Sequence, residues 1–162
     1  MNESNLTFRK AIRTDLERIV QLLADDPLGS KREVVSTPLA SSYVRAFEAI
    51  VEDDNNELVV AQQGSTIIGV LQLTFIPYLT HQGSWRAVIE GVRVAAEVRS
   101  TGVGKQLFTW AIRRAGERGC RLVQLTSDKS RPDAIRFYES LGFAATHEGM
   151  KLQLAHGSAS DA

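Results

Sequence analysis

Residues 92–107, VRVAAEVRSTGVGKQL, lead from a β-rich run through a turn with two glycines into a helical pattern. At such a turn the first amide groups of the helix lack backbone partners, and together with the helix dipole they attract an anion such as phosphate. Glycine at positions 102 and 104 removes side chains that would hold the anion away from these amides. The stretch therefore predicts a strand–turn–helix unit that binds phosphate.

Two common phosphate motifs do not fit this turn. A nucleotide P-loop needs Gly-x-x-x-x-Gly-Lys-Ser/Thr, but Arg99 and Gln106 occupy its first and last positions. A dinucleotide fingerprint needs a third glycine where this sequence has Leu107, and it needs an early βαβ unit. The turn therefore belongs to neither class of nucleotide-binding motif.

The sequence before the turn predicts two helices and several strands. Alternating apolar residues indicate strands, and apolar residues three and four positions apart indicate helices. Gly64-Ser65 separates two β-rich runs and is a two-residue hairpin signal. The predicted order is a strand over 6–12, a helix after Asp15, a loop over 25–42, a helix over 40–51, hairpin strands over 58–63 and 66–76, a loop over 77–84 and a strand over 85–95.

The sequence after the turn predicts a long helix, a strand, a second helix and two short final strands. The long helix carries one apolar face, formed by Val103, Leu107, Ala111 and Ala115. The later elements are a strand over 121–127, a helix over 131–141 and two strands over 143–154, followed by a small, polar tail over 156–162 that we expect to be flexible. Without repeats or a linker, the chain is predicted to form one α/β domain over 1–155 with a largely antiparallel N-terminal half.

Charge is unevenly distributed along a chain whose net charge is zero. Residues 1–81 carry seven basic and eleven acidic side chains, whereas residues 93–136 carry ten basic and four acidic ones. A local basic excess in a neutral protein suits a compact anionic ligand better than a nucleic acid, although a solvated helix face would have the same composition.

Composition narrows the class of protein further. The 162 residues are 43% hydrophobic, which is typical of one globular domain. No run approaches the roughly 20 apolar residues of a membrane span, and residues 1–10 lack the apolar core of a signal peptide. Cys120 is the single cysteine and the three histidines are scattered, so no zinc cluster is expected. We expect a cytoplasmic, metal-independent protein without a nucleic acid or membrane partner.

Two motifs in order resemble one family. Arg99-x-x-Gly102-x-Gly104 after a strand resembles the pyrophosphate loop of the GCN5-related N-acetyltransferase (GNAT) superfamily. Downstream, residues 133–143, DAIRFYESLGF, resemble the A-x-x-F-Y-x-x-x-G-F signature of its last helix and following strand. The resemblance covers about residues 6–154. It implies a central mixed, mostly antiparallel sheet with about four flanking helices.

The resemblance also implies where acetyl-CoA binds. The pantetheine arm would pair with the backbone of Val92, Arg93 and Val94 like an added strand, and the pyrophosphate would lie on the following loop. The last helix would contribute Ala134, whose small side chain leaves room, together with Phe137 and Tyr138, although Phe137 is better interpreted as packing the helix. The loop residues assigned to the pyrophosphate are Arg99, Ser100, Thr101, Gly102, Val103, Gly104 and Lys105.

The resemblance implies two catalytic side chains. Tyr138 matches the family tyrosine that protonates the leaving thiolate, and Glu90 stands where many members take a proton from the substrate amine. A strand N–H near Val92 would stabilise the oxyanion. Glu90 could instead be an ordinary strand residue that faces solvent. A water chain or His81 would then be the alternatives for the base.

The sequence departs from the family pattern before the last helix. Many members have an asparagine there that contacts the cofactor, and residues 127–133, SDKSRPD, have none. Asp128, Lys129, Ser130 and Arg131 remain alternative contacts for CoA.

The function that follows is acetyl-CoA-dependent N-acetylation, with direct attack of an amine on the thioester in a ternary complex. The alternative is a non-catalytic, CoA-binding regulatory domain of the same fold. The sequence does not identify the acceptor amine. The pockets of the family imply that residues 25–45 and 77–85 line its site, with Trp85 and His81 at the entrance. A homodimer is expected by resemblance.

Overall fold

In the computed structural model, which describes residues 6–155, five strands form one sheet in the order β1-β2-β3-β4-β5. The strands are β1 (Leu6–Lys10), β2 (Asn56–Gln63), β3 (Thr66–Pro77), β4 (Trp85–Val94) and β5 (Cys120–Leu125). The first four strands pair antiparallel, and β4 pairs with β5 in parallel. The predicted mixed, mostly antiparallel sheet is confirmed, and β1 ends two residues earlier than predicted.

Five helices accompany the strands among the described residues. They are α1 (Leu16–Ala24), α2 (Ser41–Glu52), the single turn α3 (Thr80–Gly83), α4 (Val103–Glu117) and α5 (Pro132–Ser140). The loop predicted over 25–42 contains one 3₁₀ turn, Gly29–Lys31. None of the described helices has the length and apolar composition that crossing a membrane requires.

The hydrophobic core lies where α1 and α4 cover the sheet. The predicted face of α4 is buried at all four positions, and α1 buries Leu16, Ile19, Val20 and Leu22. The middle of β3 is buried at every position from Ile67 to Leu71, as expected of a strand that is covered on both faces of its sheet. This core fixes β4 in the interior of the sheet.

A buried carboxylate joins the sheet to α4. Glu57 of β2 has only 1% of its side chain exposed, and Arg114 approaches it to 2.6 Å, with Lys10 and Arg118 at 3.5 Å. Burial alone would raise the pKa of Glu57, but hydrogen bonds and charge from Arg114, with the charge of Lys10, outweigh it and lower the pKa.

The chain divides into two compact units, residues 1–125 and 126–162. The described part of the second unit contains α5, which begins at Pro132, a residue whose fixed φ suits the first turn of a helix. The flexible tail predicted over 156–162 lies outside the described residues. The extent of the domain, 1–155, stays a prediction.

The prediction of two strands over 143–154 is wrong, since the structure has only turns and irregular backbone there. The alternation of Met150, Leu152 and Leu154 resembles a strand, but these side chains are 94%, 87% and 79% exposed. A strand forms only where a neighbouring strand pairs with its backbone and a core covers its apolar face. The apolar alternation alone was therefore insufficient.

Candidate active site

A β-bulge interrupts β4 at Gly91. Gln72 of β3 lies opposite Glu90 and Val70 lies opposite Arg93, so three steps along β4 match two steps along β3. Gly91 has φ +60°, a left-handed conformation that glycine adopts without steric cost. The extra residue changes the direction of the N–H and C=O groups on either side of it.

Beyond the bulge, β4 is open on its outer edge. Pairing with β5 ends at Ile89 and Leu125, and within residues 6–125 no strand covers that edge of β4 from Glu90 onward. Ala95 N donates to Ile68 O at 2.8 Å on the β3 side, so the alternation of a strand turns the backbone groups of Val94 and Val92 outward. An extended ligand with amide groups could pair with this edge.

Two arginine side chains already contact the open edge. Arg93 Nη1 donates to Val92 O at 2.8 Å, and Arg99 Nε donates to Val94 O at 3.0 Å. Both arginines are in turn bound by the segment that follows α1. Arg93 Nη2 lies 3.6 Å from Asp26 Oδ2, and Arg99 Nη2 lies 2.7 Å from Asp25 O and 3.1 Å from Asp25 Oδ2.

The turn after β4 has the geometry that the sequence predicted. Ser100 and Gly102 have φ +65° and +92°, and Gly102 caps α4. The first amides of α4, from Val103 to Lys105, follow this cap and have no acceptor within the helix. Lys105 is exposed in the first turn, and Thr101 binds Val98 O through its hydroxyl at 2.7 Å.

The residues predicted to hold acetyl-CoA in the first unit therefore form one continuous surface. Val92, Arg93 and Val94 present a strand edge, and the turn beginning at Arg99 presents helix amides. A strand edge followed by a helix N-terminus fits a ligand with an amide-containing arm and a phosphate group. The residues present thus fit the acyl donor that the motif implies.

Glu90 lies one position before the bulge and is exposed. Its neighbour across the ladder is Gln72, whose amide binds Asn56 Oδ1 at 3.1 Å. The exposed carboxylate can exchange protons with water and lies next to the backbone that the bulge re-aims. This arrangement is compatible with both interpretations of Glu90, as a base and as a solvated strand residue.

Tyr138 lies in the second unit, on α5 with Ala134 and Phe137, and all three are half-buried. The ring of Tyr138 contacts Phe137 and Phe143 edge-on, with centroids 5.7 and 6.3 Å apart. The aromatic packing explains why this helix carries the Phe-Tyr pair, and it leaves the role of the hydroxyl a prediction.

The four candidates before α5 make local contacts. Asp128 Oδ1 accepts from the backbone N and the hydroxyl of Ser130, and these bonds lower the pKa of Asp128. Lys129 binds Glu148 at 2.9 Å, and the carbonyl of Arg131 accepts from Ala134 N. Asp128 and Ser130 thus form the polar turn that precedes the helix.

The β3–β4 connection lies at the other end of β4. His81 and Gln82 adopt left-handed conformations, and His81 lies against Tyr78, over which Arg86 stacks. Trp85 is six residues before Gly91, a separation of about 20 Å along a strand. His81 therefore lies near the start of β4, away from the bulge, and the assignment of residues 25–45 and 77–85 to the acceptor site stays a prediction. Cys120 begins β5, and burial raises the pKa of its thiol against the opposing charge of Arg118.

Comparison with known proteins identifies the family. The model of the Acetyltransferase (GNAT) family matches residues 16–143, so the chain belongs to this family. An aminoalkylphosphonate N-acetyltransferase of Salmonella typhimurium is 29% identical over 62% of this chain and 65% of its own. A glucosamine 6-phosphate N-acetyltransferase of Trypanosoma brucei brucei is 36% identical over 57% and 61%. The chain thus matches less than two thirds of the length of either curated relative.

One solved structure is much more similar. The crystal structure of a transcriptional regulator from Bacillus halodurans C-125 has 60% sequence identity and a TM-score of 0.90, and the match covers 93% of this chain and 100% of that one. The family and fold that the motifs predicted are therefore confirmed.

Proposed function

We propose that the protein transfers an acetyl group from acetyl-CoA to a primary amine. The observation that carries this proposal is the continuous surface formed by the open edge of β4 and the glycine turn of α4. The first part suits the amides of a pantetheine arm, and the second suits a pyrophosphate. Membership of the GNAT family supports the same reaction.

In this proposal the donor lies with its pantetheine arm along Val92–Val94 and its pyrophosphate on the turn from Arg99 to Lys105. The amides of Arg99 and Thr101 already donate to Ala96 O and Val98 O, so the amides from Val103 to Lys105 would contact the pyrophosphate. The thioester carbonyl then lies beside the bulge, where a backbone N–H near Val92 can stabilise the oxyanion. By resemblance to the family motif, Ala134 and Phe137 of α5 are also proposed to contact acetyl-CoA.

Three proton transfers are required. The amine arrives as an ammonium and must lose a proton before its lone pair can attack the thioester carbon. We assign this step to Glu90, acting directly or through water. The attack gives a tetrahedral intermediate with a cationic nitrogen, which loses its second proton to water. The carbon–sulfur bond then breaks, and we assign protonation of the leaving thiolate to Tyr138, whose phenol regains a proton from solvent, so that the products are an amide and CoA with a free thiol.

The acceptor class follows from the names of the relatives. Aminoalkylphosphonates and glucosamine 6-phosphate are both primary amines with an anionic phosphorus group. We therefore propose a small phosphorylated or phosphonylated amine as the first class to test, with peptide and aminoglycoside amines as further classes. We further propose that the protein is cytoplasmic, forms a homodimer and binds neither nucleic acid nor membranes.

A thiol-release assay tests the reaction. The protein is mixed with acetyl-CoA and each amine of the panel, free CoA thiol is followed over time, and the acetylated product is identified by mass. Turnover above the rate of hydrolysis without amine supports the proposal. Binding of acetyl-CoA without turnover on any amine contradicts it.

A second candidate function rests on one observation, the 60% identical protein that is named a transcriptional regulator. In this alternative the chain binds CoA or acetyl-CoA as a signal and has no transferase activity. The same assay separates the two candidates, because the regulatory domain predicts calorimetric binding of acetyl-CoA without amine-dependent thiol release.

A further inference from the structure

Two consecutive aspartates at the end of α1 hold the two arginines that contact the open edge of β4. Asp26 binds Arg93, whose guanidinium donates to Val92 O, and Asp25 binds Arg99, whose guanidinium donates to Val94 O. Asp25 and Arg99 are 74 residues apart in sequence. The two chains of contacts end on alternate carbonyls of the same strand edge.

The ion pair between Arg93 and Asp26, here called the inner pair, is almost completely buried. The side chains of Arg93 and Asp26 are 10% and 11% exposed. A buried charge needs its partner, because the remaining charge would otherwise be poorly solvated. Asp26 Oδ1 also accepts from Gly29 N, which fixes the carboxylate from the other side. The guanidinium of Arg93 is thereby held against Val92 O.

The ion pair between Arg99 and Asp25, here called the outer pair, is more accessible. The side chain of Arg99 is 45% exposed and that of Asp25 is 47% exposed. Such an exposed pair contributes little to stability. Its geometry is nevertheless specific, because one guanidinium contacts Asp25 O, Asp25 Oδ2 and Val94 O together. The guanidinium of Arg99 is directed at the strand and at Asp25.

We propose that Asp25 and Asp26 are positioning residues for the acyl donor, which act through Arg99 and Arg93 to orient the carbonyls of Val94 and Val92. The inference rests on the proposed function. Each carbonyl has two lone pairs, so one can accept from the arginine while the other accepts from an amide of the pantetheine arm. An oriented edge binds the arm without the entropy cost of ordering the strand first.

The proposal assigns Arg99 a different role from that of a phosphate ligand. A phosphate ligand acts on the pyrophosphate only, whereas a residue that orients Val94 O acts on the pantetheine arm. S-acetylpantetheine, which lacks the pyrophosphate and the nucleotide, separates the two roles. Its binding depends on the strand edge and is independent of the helix amides.

The experiment compares binding of acetyl-CoA and of S-acetylpantetheine to the intact chain by calorimetry. Asp26→Asn keeps an oxygen for Gly29 N and removes the charge that holds Arg93. Asp25→Asn and Arg99→Gln alter the exposed pair and are expected to fold. For all three variants we expect affinity to fall about tenfold for both donors, because the carbonyl that receives the arm is no longer held in place by its arginine. Asp26→Glu should recover part of the loss.

Whether the aspartate variants bind acetyl-CoA more weakly or more tightly distinguishes a positioning role from long-range charge repulsion. Removing a negative charge near a polyanion should strengthen acetyl-CoA binding, and Glu97→Gln, an exposed carboxylate in the turn after β4, measures that effect. Tighter acetyl-CoA binding by both aspartate variants, or a loss confined to acetyl-CoA in Arg99→Gln, would overturn the proposal. If the unmodified protein binds neither donor, the proposed function itself fails.

Discussion

Replacement of Gly91 by alanine tests whether the bulge in β4 serves the reaction. Gly91 and Gly64 share φ +60°, and Gly64 lies in the β2–β3 hairpin turn. A β-carbon at Gly91 would meet only Leu23 Cδ2 at 3.9 Å, an ordinary contact, and one at Gly64 would meet nothing within 4 Å. Neither substitution creates a clash, so each should cost only the strain of a left-handed L-residue, about 1 kcal/mol.

The two variants should therefore lose similar stability and differ in activity. For a chain of this size, 1 kcal/mol corresponds to a fall in Tm of about 2–4 °C. Because the strain at position 91 favours a regular strand over the bulge, we expect Gly91→Ala to lose at least about tenfold in acetyl transfer, as displacement of one oxyanion donor would. Gly64→Ala should retain its turnover.

Thermal unfolding and the thiol-release assay, run on both variants, measure these quantities. Equal turnover of Gly91→Ala and Gly64→Ala would refute a catalytic role for the bulge. A loss of stability several kcal/mol larger at position 91 would show instead that packing against Leu23 governs the site.

Four further predictions follow from the same geometry. Gly104→Val should weaken acetyl-CoA binding by blocking the amides of α4, while Gly116→Val, which makes the same small change in helix propensity later in the same helix, should keep its affinity, as calorimetry can measure. Glu90→Gln should reduce turnover by about 10²–10⁴-fold, most at low pH where the amine is protonated, and a pH–rate profile that overlays the unmodified protein would remove Glu90 from the mechanism. Tyr138→Phe should keep its Tm and lose about 10- to 10³-fold in turnover, with acetyl-CoA affinity unchanged, whereas full activity would make the tyrosine a packing residue. Since folding lowers the pKa of Glu57, its stabilisation is fully present above the ordinary value of 4.5 and is lost as pH falls from there through the lowered folded pKa; denaturant unfolding should show that Glu57→Gln costs about 3 kcal/mol at pH 7 and that this cost shrinks steadily as pH is lowered below 4.5.

The elements with a clear local signal were predictable from the sequence. The buried face of α4 follows from apolar residues at helical spacing, and the hairpin follows from Gly64-Ser65 between two β-rich runs. The glycine turn was located because its chemistry depends on one short segment. Local patterns suffice where the structure is determined by neighbours in sequence.

The missed features depend on contacts between distant residues. A bulge is a mismatch between two strands, although a glycine inside the β-rich run at position 91 was the available signal. The wrong prediction of strands over 143–154 has the same origin, since alternation cannot show whether a partner strand exists. The ion pairs that reach the β4 edge were also hidden, because an arginine in a turn has the same local pattern whether it binds phosphate or an aspartate.

The folded structure explains the uneven charge of the sequence in a different way. The basic excess over 93–136 suggested attraction of an anion, yet four of its arginines bind carboxylates of the acidic N-terminal half. Arg93 and Arg99 bind Asp26 and Asp25, while Arg114 and Arg118 approach Glu57. The two halves therefore neutralise each other along β4 and α4, and at the proposed site the attraction for a phosphate group would come from the amides after Gly102 and the exposed Lys105 rather than from the four paired arginines.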